Sequence, residues 1–163
     1  MELKFYPNPI LREPTKEIVT VDEDVKSLIA NLYSIMRKYR GFGLAAPQIG
    51  VSKKVAVVEV DNKSYTLINP VVVDQWNLTI SSEGCLSFPS IMINHVRPTG
   101  IKVKSLDLEG KEVEYTVEGM LAKAFSHEID HLNNILFVDE LSSIKKDVIR
   151  RKIIKLERKY NLI

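Results

Sequence analysis

Val25, Leu28, Ile29, Leu32, Ile35 and Met36 recur at three- and four-residue intervals, the spacing of one face of an α-helix. Asp22 stands where an N-cap belongs and Gly41 where a helix stops, so a helix is predicted from Asp22 to about Arg40. Before it, Pro7, Pro9 and Pro14 punctuate residues 5–20 and predict an extended arm without helix. The period then changes. Residues 53–60 are β-branched and weakly alternating, Asp61-Asn62-Lys63 reads as a turn, and residues 64–68 complete a hairpin. Strand character continues at 71–73, 101–106 and 113–117, the last two joined across Glu109-Gly110. Helical spacing returns with Leu121, Ala124, Phe125, Ile129 and Leu132, from Gly119 to about Asn133. A third helix is predicted over 142–160, with Ile149, Ile153, Leu156 and Tyr160 on its apolar side. Strands grouped in the middle with helices outside them predict an α+β fold: mixed or antiparallel strands around a central helix, not a wound parallel sheet.

Composition narrows the class. The chain has 163 residues, 45% apolar and 27% charged, which suits one globular domain over 1–163 and argues against disorder. No repeat or linker divides it, and no apolar run approaches the roughly 18 residues a membrane helix needs. The opening Met1-Glu2-Leu3-Lys4 lacks a secretory apolar region, and one cysteine permits no internal disulfide, so a reducing, cytoplasmic setting is expected. The net charge of +2 is unevenly placed. Residues 142–160 carry eight basic side chains against Asp147 and Glu157, leaving the rest of the chain net negative. Such a basic tail suits an anionic partner, and equally a solvated helix face.

Candidate chemistry begins with His127-Glu128-Ile129-Asp130-His131, an H-E-x-x-H sequence inside the second predicted helix. Residues four apart leave one helix face a turn apart, so both imidazoles can grip one metal ion. Glu128 then stands within reach of water at that ion, as a general base. The plainer alternative is a pair of surface histidines, but Ala124, Phe125 and Leu132 set the pair at the edge of a buried face. A catalytic site ordinarily has three protein ligands and an open position. The metzincin continuation is missing, since Asn134 and Phe137 stand where Gly and His are required. Glu140 and Glu157 are thermolysin-like candidates, although Glu157 falls on the wet side of a basic helix. His95 reads most simply as a loop or strand-end residue. Cys85, the only thiol, lies in Glu83-Gly84-Cys85-Leu86-Ser87, among glycine and polar residues. A thiolate with two imidazoles suits a soft divalent cation. A cysteine nucleophile with His127 as base competes with that reading, and leaves His131 and Glu128 unused. Finally, Gly41-Phe42-Gly43-Leu44-Ala45-Ala46-Pro47-Gln48 lies between the first helix and the first strand. Its glycines let backbone approach a ligand or simply suit a loop, and the Gln48 amide can donate to an oxyanion.

Taken together, G-F-G-L-A-A-P-Q, E-G-C-L-S and H-E-I-D-H, in this order, resemble the three motifs of the peptide deformylase family. Tyr6-Pro7-Asn8-Pro9-Ile10-Leu11-Arg12 and Arg97-Pro98 with Asp107-Leu108-Glu109-Gly110 resemble it too, so the likeness spans nearly the whole chain. The resemblance implies a metal held by Cys85, His127 and His131, with Glu128 as general base. It implies an oxyanion cradled by Gln48 and the Leu86 backbone N–H. It places a methionine side chain in an apolar pocket near Phe42 and the His127 helix, with Gly43 and Gly84 meeting the substrate backbone. The family's natural metal is ferrous iron, one per chain, which nickel, cobalt or zinc can replace. The activity implied is a hydrolase of protein biosynthesis: it removes formyl from the N-terminal formyl-methionine of new polypeptides and releases formate, in a bacterial-type cytoplasm.

Partners expected are formyl-methionyl nascent peptides and, through the basic 142–160 helix, ribosomal RNA; no membrane and no sequence-specific nucleic acid are expected. Two positions depart from the family pattern: Asn134 stands where Gly is common, and Ser126 where Gln is common. The rivals are a zincin-type endopeptidase and a metal-stabilised binding module without activity. A structural site would be closed by a fourth protein ligand, for which only His95 or a carboxylate is on hand.

Overall fold

The computed structural model describes residues 1–160. Asp22 accepts a hydrogen bond from the Val25 N–H (2.9 Å) and opens α1, Glu23–Lys38. Glu23 and Asp24 in its first turn and Arg37 and Lys38 in its last complement the helix dipole. Its end differs from expectation. Arg40, not Gly41, takes the left-handed conformation (φ 56°), and the Gly41 N–H closes back on the Met36 carbonyl at 2.9 Å.

Among the described residues, five strands form one antiparallel sheet in chain order. These are β1 (Gly43–Ala45), β2 (Val55–Val60), β3 (Lys63–Cys85), β4 (Phe88–Leu106) and β5 (Glu112–Glu118). Asp61 and Asn62, both at positive φ, form the two-residue turn that pairs Val60 with Lys63. The predicted helix–strand order holds, and the fold is α+β. Two corrections concern extent. Residues 74–100, left without strands by the sequence pattern, belong to a long β3–β4 hairpin whose register shifts between Ile68 and Val71, Val72 and Asp74, and Glu83 and Cys85. β2 ends at residue 60 and β5 begins at 112, pairing only with residues 63–68 of β3 and 100–106 of β4, so the hairpin continues past them as a two-stranded ribbon. The N-terminal arm also holds a short 3₁₀ turn, Pro9–Arg12, which begins on a proline that needs no N–H there and is capped by Asn8 (3.1 Å to Ile10 N).

β2 is buried on both faces. Val55 and Val57 join α1 residues Val25, Leu28, Leu32 and Met36 in one apolar cluster. Ala56 and Val58 point the other way, to Phe125, Ile129 and Leu132 of α2 (Met120–Leu132). That double burial explains the unbroken apolar run there. In the second cluster Phe125 packs edge-on to Tyr65 at 5.2 Å, which anchors α2 against the sheet. α3, Ser143–Tyr160, docks through fully buried Ile153. Ile149 and Leu156 are half-buried on the same side, and Glu157, expected to be wet, is half-buried too. The Tyr160 side chain, expected on the apolar side, lies outside the described residues.

Candidate active site

α2 carries the H-E-x-x-H sequence into the space between the sheet and the turn that ends β3. Gly119, at φ 63°, starts this helix without a side-chain cap. The helical spacing brings the Nε2 atoms of His127 and His131 to 3.2 Å, and Cys85 Sγ lies 3.3 Å from His131 Nε2. All three donor atoms fall within 4.8 Å of one another, and among the described residues this is the one such group. Ligands at about 2.0–2.3 Å from a tetrahedral ion lie roughly 3.4–3.7 Å apart, so one cation fits between these donors. The donor chemistry, one thiol and two imidazoles, agrees with a borderline-soft divalent ion.

His95 and Glu140, alternatives for a further ligand, face each other at 3.8 Å and are not in the group. His95 sits within β4 opposite Ser81, a mid-strand rather than strand-end position.

The residues around the donors hold them in place. Glu83 Oε2 is 3.1 Å from His127 Nδ1, which leaves Nε2 to face Cys85 and His131. Arg97 grips both Glu83 oxygens at 2.6 and 3.0 Å, and its other arm reaches Asp130 at 2.5 Å. Burial opposes ionisation of Glu83, but the bonds from His127 and Arg97 outweigh it and hold the carboxyl at about 2. His127 is pulled the same way. Burial disfavours its charge, yet Cys85 and Glu83 hold its proton and raise it well above the usual range. His131 is pushed well below that range by burial and by His127. Sequence reading missed this Glu83–Arg97–Asp130 network. Glu83 and Asp130 lie inside quoted motifs, but their connection runs through Arg97, whose side of the sheet depends on a register with shifts in it.

Glu128, beside His127, is enclosed, with one carboxylate oxygen unpartnered. Burial pushes its carboxyl up to about 7, against the opposing pull of His127 and Arg97. Gly43 makes room for it: a Cβ there would stand 2.6 Å from Glu128 Oε1. The motif holding Gly43, expected as a loop, forms β1 and a 3₁₀ turn, Ala46–Ile49. That turn buries Gln48 and sets its amide. The Ala45 N–H donates to Oε1 at 2.9 Å, while Nε2 faces Ser87 Oγ (3.1 Å) and Cys85 Sγ (3.4 Å).

A cavity of ≈ 780 Å³ opens onto Gln48, Cys85, His127 and Glu128. Its walls include Phe42, Gly43, Gly84, Leu86 and Met120, so every sequence-nominated substrate position lines it. His131 closes the donor set from below, fully enclosed. The arrangement can bind a cation and hold a proton beside it. It can also offer an amide N–H to an oxygen across the same small volume.

Comparison with known proteins supplies the context. A family model described as polypeptide deformylase matches residues 1–147. The peptide deformylase of Acidobacterium capsulatum is 36% identical over 158 residues, 94% of this chain and 93% of its own. A solved peptide deformylase from Legionella pneumophila superposes with a TM-score of 0.92 at 39% identity, covering 98% of this chain and 96% of that one. The Ehrlichia chaffeensis peptide deformylase, solved in complex with actinonin, gives 0.93 at 34% identity over 97% and 98%. Agreement over this length, in sequence and in backbone, makes the chain a member of the polypeptide deformylase family.

Proposed function

We propose that the enzyme removes the formyl group from the N-terminal formyl-methionine of newly made polypeptides, releasing formate and a free amine. The observation that carries the reading is the meeting of three donors, Cys85, His127 and His131, with an enclosed carboxyl and an oriented amide on one apolar cavity. A divalent ion in that donor set, ferrous iron in this proposal with zinc, nickel or cobalt as substitutes, supplies Lewis acidity that acidifies water and polarises a carbonyl. Glu128 takes the proton of the attacking water, whose oxygen adds to the formyl carbon. Negative charge then gathers on the formyl oxygen, where the Gln48 Nε2–H and the Leu86 backbone N–H donate to it. The C–N bond breaks, and Glu128 returns its proton to the leaving nitrogen. A carboxyl near 7 suits both halves of that exchange. Glu83, held by Arg97, keeps the His127 Nε2 lone pair turned inward.

The cavity wall of Phe42, Met120 and Ala124 takes the methionine side chain, with Gly43 and Gly84 against the substrate backbone. Residues 1–163 form one catalytic unit in this reading. Its place is a bacterial-type cytoplasm, where formylated chains arise; among the described residues no helix is long and apolar enough to cross a membrane.

The test pairs formyl-Met-Ala-Ser with an internal peptide bond as substrates, in protein of measured metal content. Release of formate from the first alone is expected. Glu128→Gln should keep the metal and lose about 10²–10⁴-fold in kcat. Cleavage of the internal bond, or a metal-replete protein inert towards both substrates, would replace this reading with the endopeptidase or the binding module.

We also infer that the basic face of α3 contacts ribosomal RNA. Its apolar side is docked through Ile153 while Arg151 and Lys155 face solvent. Lys152 is engaged, its ammonium donating to the Ser90 carbonyl (3.2 Å), so charge reversal belongs at Arg151 and Lys155. Ribosome co-sedimentation should weaken in that double variant at low salt and fade for wild type as salt rises. Equal binding at every salt concentration removes the contact.

A further inference from the structure

The cavity beside Glu128 is lined by two cations that the proposed reaction does not use. Lys123 lies on α2 one turn before His127, so its side chain leaves the same face of the helix. It is half-buried. Arg40, just beyond α1, lines the same cavity from a left-handed backbone position that arginine adopts only at a cost. Neither has an ion-pair partner among the described residues. The residues three and four away from Lys123 on its helix are Gly119, Met120, Ser126 and His127, none of them acidic. Arg37, three residues before Arg40, holds Glu59 in a two-pronged pair at 3.0 and 2.6 Å.

The acids on the cavity are committed elsewhere. Glu83 is held by Arg97 and His127, and Glu128 is enclosed beside the metal ligands. A lysine in an apolar wall adds its methylenes to the wall and keeps its ammonium toward water. With exposed Arg40 on the same cavity, this sets positive charge where the wall meets solvent. A cation partly withdrawn from water and left without a counter-charge gains from an anion brought to it.

Building on the deformylase reading, we propose that Lys123 and Arg40 make the enzyme selective for an acidic side chain at the residues directly following formyl-methionine. Both act as specificity determinants and take no part in bond breaking.

The test is kcat/KM on C-terminally amidated formyl-Met-Xaa-Ser and formyl-Met-Ala-Xaa, with Xaa as Glu, Gln or Lys. Glu should exceed Lys by about five- to tenfold at low salt at one of the two positions, with Gln between them. The ratio should shrink toward unity near about 0.5 M salt, because such pairs are screened. Lys123→Met should cut it to about twofold or less, Lys123→Arg should keep most of it, and Lys123→Glu should invert it. A ratio taken within one enzyme does not depend on how much total activity a variant retains. A wild-type ratio near one at both positions overturns the selection and leaves deformylation standing, as does a ratio unmoved in Lys123→Met combined with Arg40→Gln. Metal-replete wild type that cleaves none of these formyl peptides overturns both.

Discussion

Gly43 and Glu128 occupy adjoining space that no side chain larger than hydrogen can share. A Cβ at residue 43 would lie 2.6 Å from Glu128 Oε1 and 2.7 Å from its Cγ. Glu128 is enclosed, so the carboxylate has little room to swing aside. Gly43→Ala should therefore displace the Glu128 carboxylate while leaving Cys85, His127 and His131 where they are. A kcat loss on the order of 10²-fold is expected, because displacements near an ångström cost about that much. Metal content and Tm should change little, and measuring both beside kcat separates misplacement from unfolding. An unchanged kcat would show that Glu128 relocates without loss. Gly100 meets a similar constraint for a structural reason: a Cβ there would fall 2.1 Å from the Trp76 ring, which lies across the opposing strand.

At the scale of elements, the C-terminal end of α2 shows how Asn134, where the resemblance led one to expect glycine, keeps the helix end. Asn134 takes the left-handed conformation (φ 60°), the conformation for which asparagine is the best substitute for glycine. The Ile135 N–H closes on the Asp130 carbonyl at 2.8 Å, and the Asn134 amide donates to the Glu13 carbonyl. The side chain thus adds a tie that glycine lacks, between the end of α2 and the N-terminal arm. Asn134→Ala should cost about 1–2 kcal/mol and Asn134→Gly about 1 kcal/mol or less, read from denaturant midpoints. Alanine equal to wild type would mean the helix ends differently. Ser126, the other departure, bonds its hydroxyl to the Ala122 carbonyl at 2.8 Å and so closes its own account.

A second tie joins the N-terminal arm to the segment between α2 and α3: Arg12 grips Asp139 at 2.9 and 2.6 Å. Burial works against the Asp139 charge, but the Arg12 bonds and the Leu136 N–H hold its carboxyl below the ordinary range. A carboxyl so lowered adds stability above its unfolded pKa and loses it as pH falls through the folded value. Wild type should therefore lose more stability than Asp139→Asn below about pH 4, by less than about 1 kcal/mol since both partners are partly exposed. Parallel acid melts of the two proteins would refute the tie.

Legibility followed burial. α1 and α2 each bury an apolar stripe, so their spacing showed in the sequence, and β2 showed as an unbroken apolar run because both its faces are covered. The donors were legible too, because His127 and His131 are brought together by the helix itself. The Arg97 network was not, since nothing local tells an arginine in a strand which carboxylate it will meet.

Over the whole molecule, the part least legible in the sequence is the ribbon of β3 and β4 beyond β2 and β5. Leu78, Ile80 and Val96 stand on its outer face, all more than half exposed, so the apolar-in, polar-out alternation fails there. Asn77 at positive φ, Pro89, Pro98 and the register shifts further disguise it. The inner face carries Glu83 and Arg97 to the site, so the ribbon has to project to this length for the Glu83–Arg97–Asp130 network to exist. Its cost is colloidal. Among the described residues no strand pairs with β3 beyond residue 71 except β4, which leaves backbone donors and acceptors along an apolar stripe. Such an edge is a template for another chain when concentration or temperature rises. Leu78→Lys with Ile80→Lys should leave Tm within a few degrees and kcat intact, while raising the onset temperature of light scattering. If scattering begins where it does in wild type, the shelf life of this enzyme is set elsewhere, and the ribbon is as inert in solution as any polar strand.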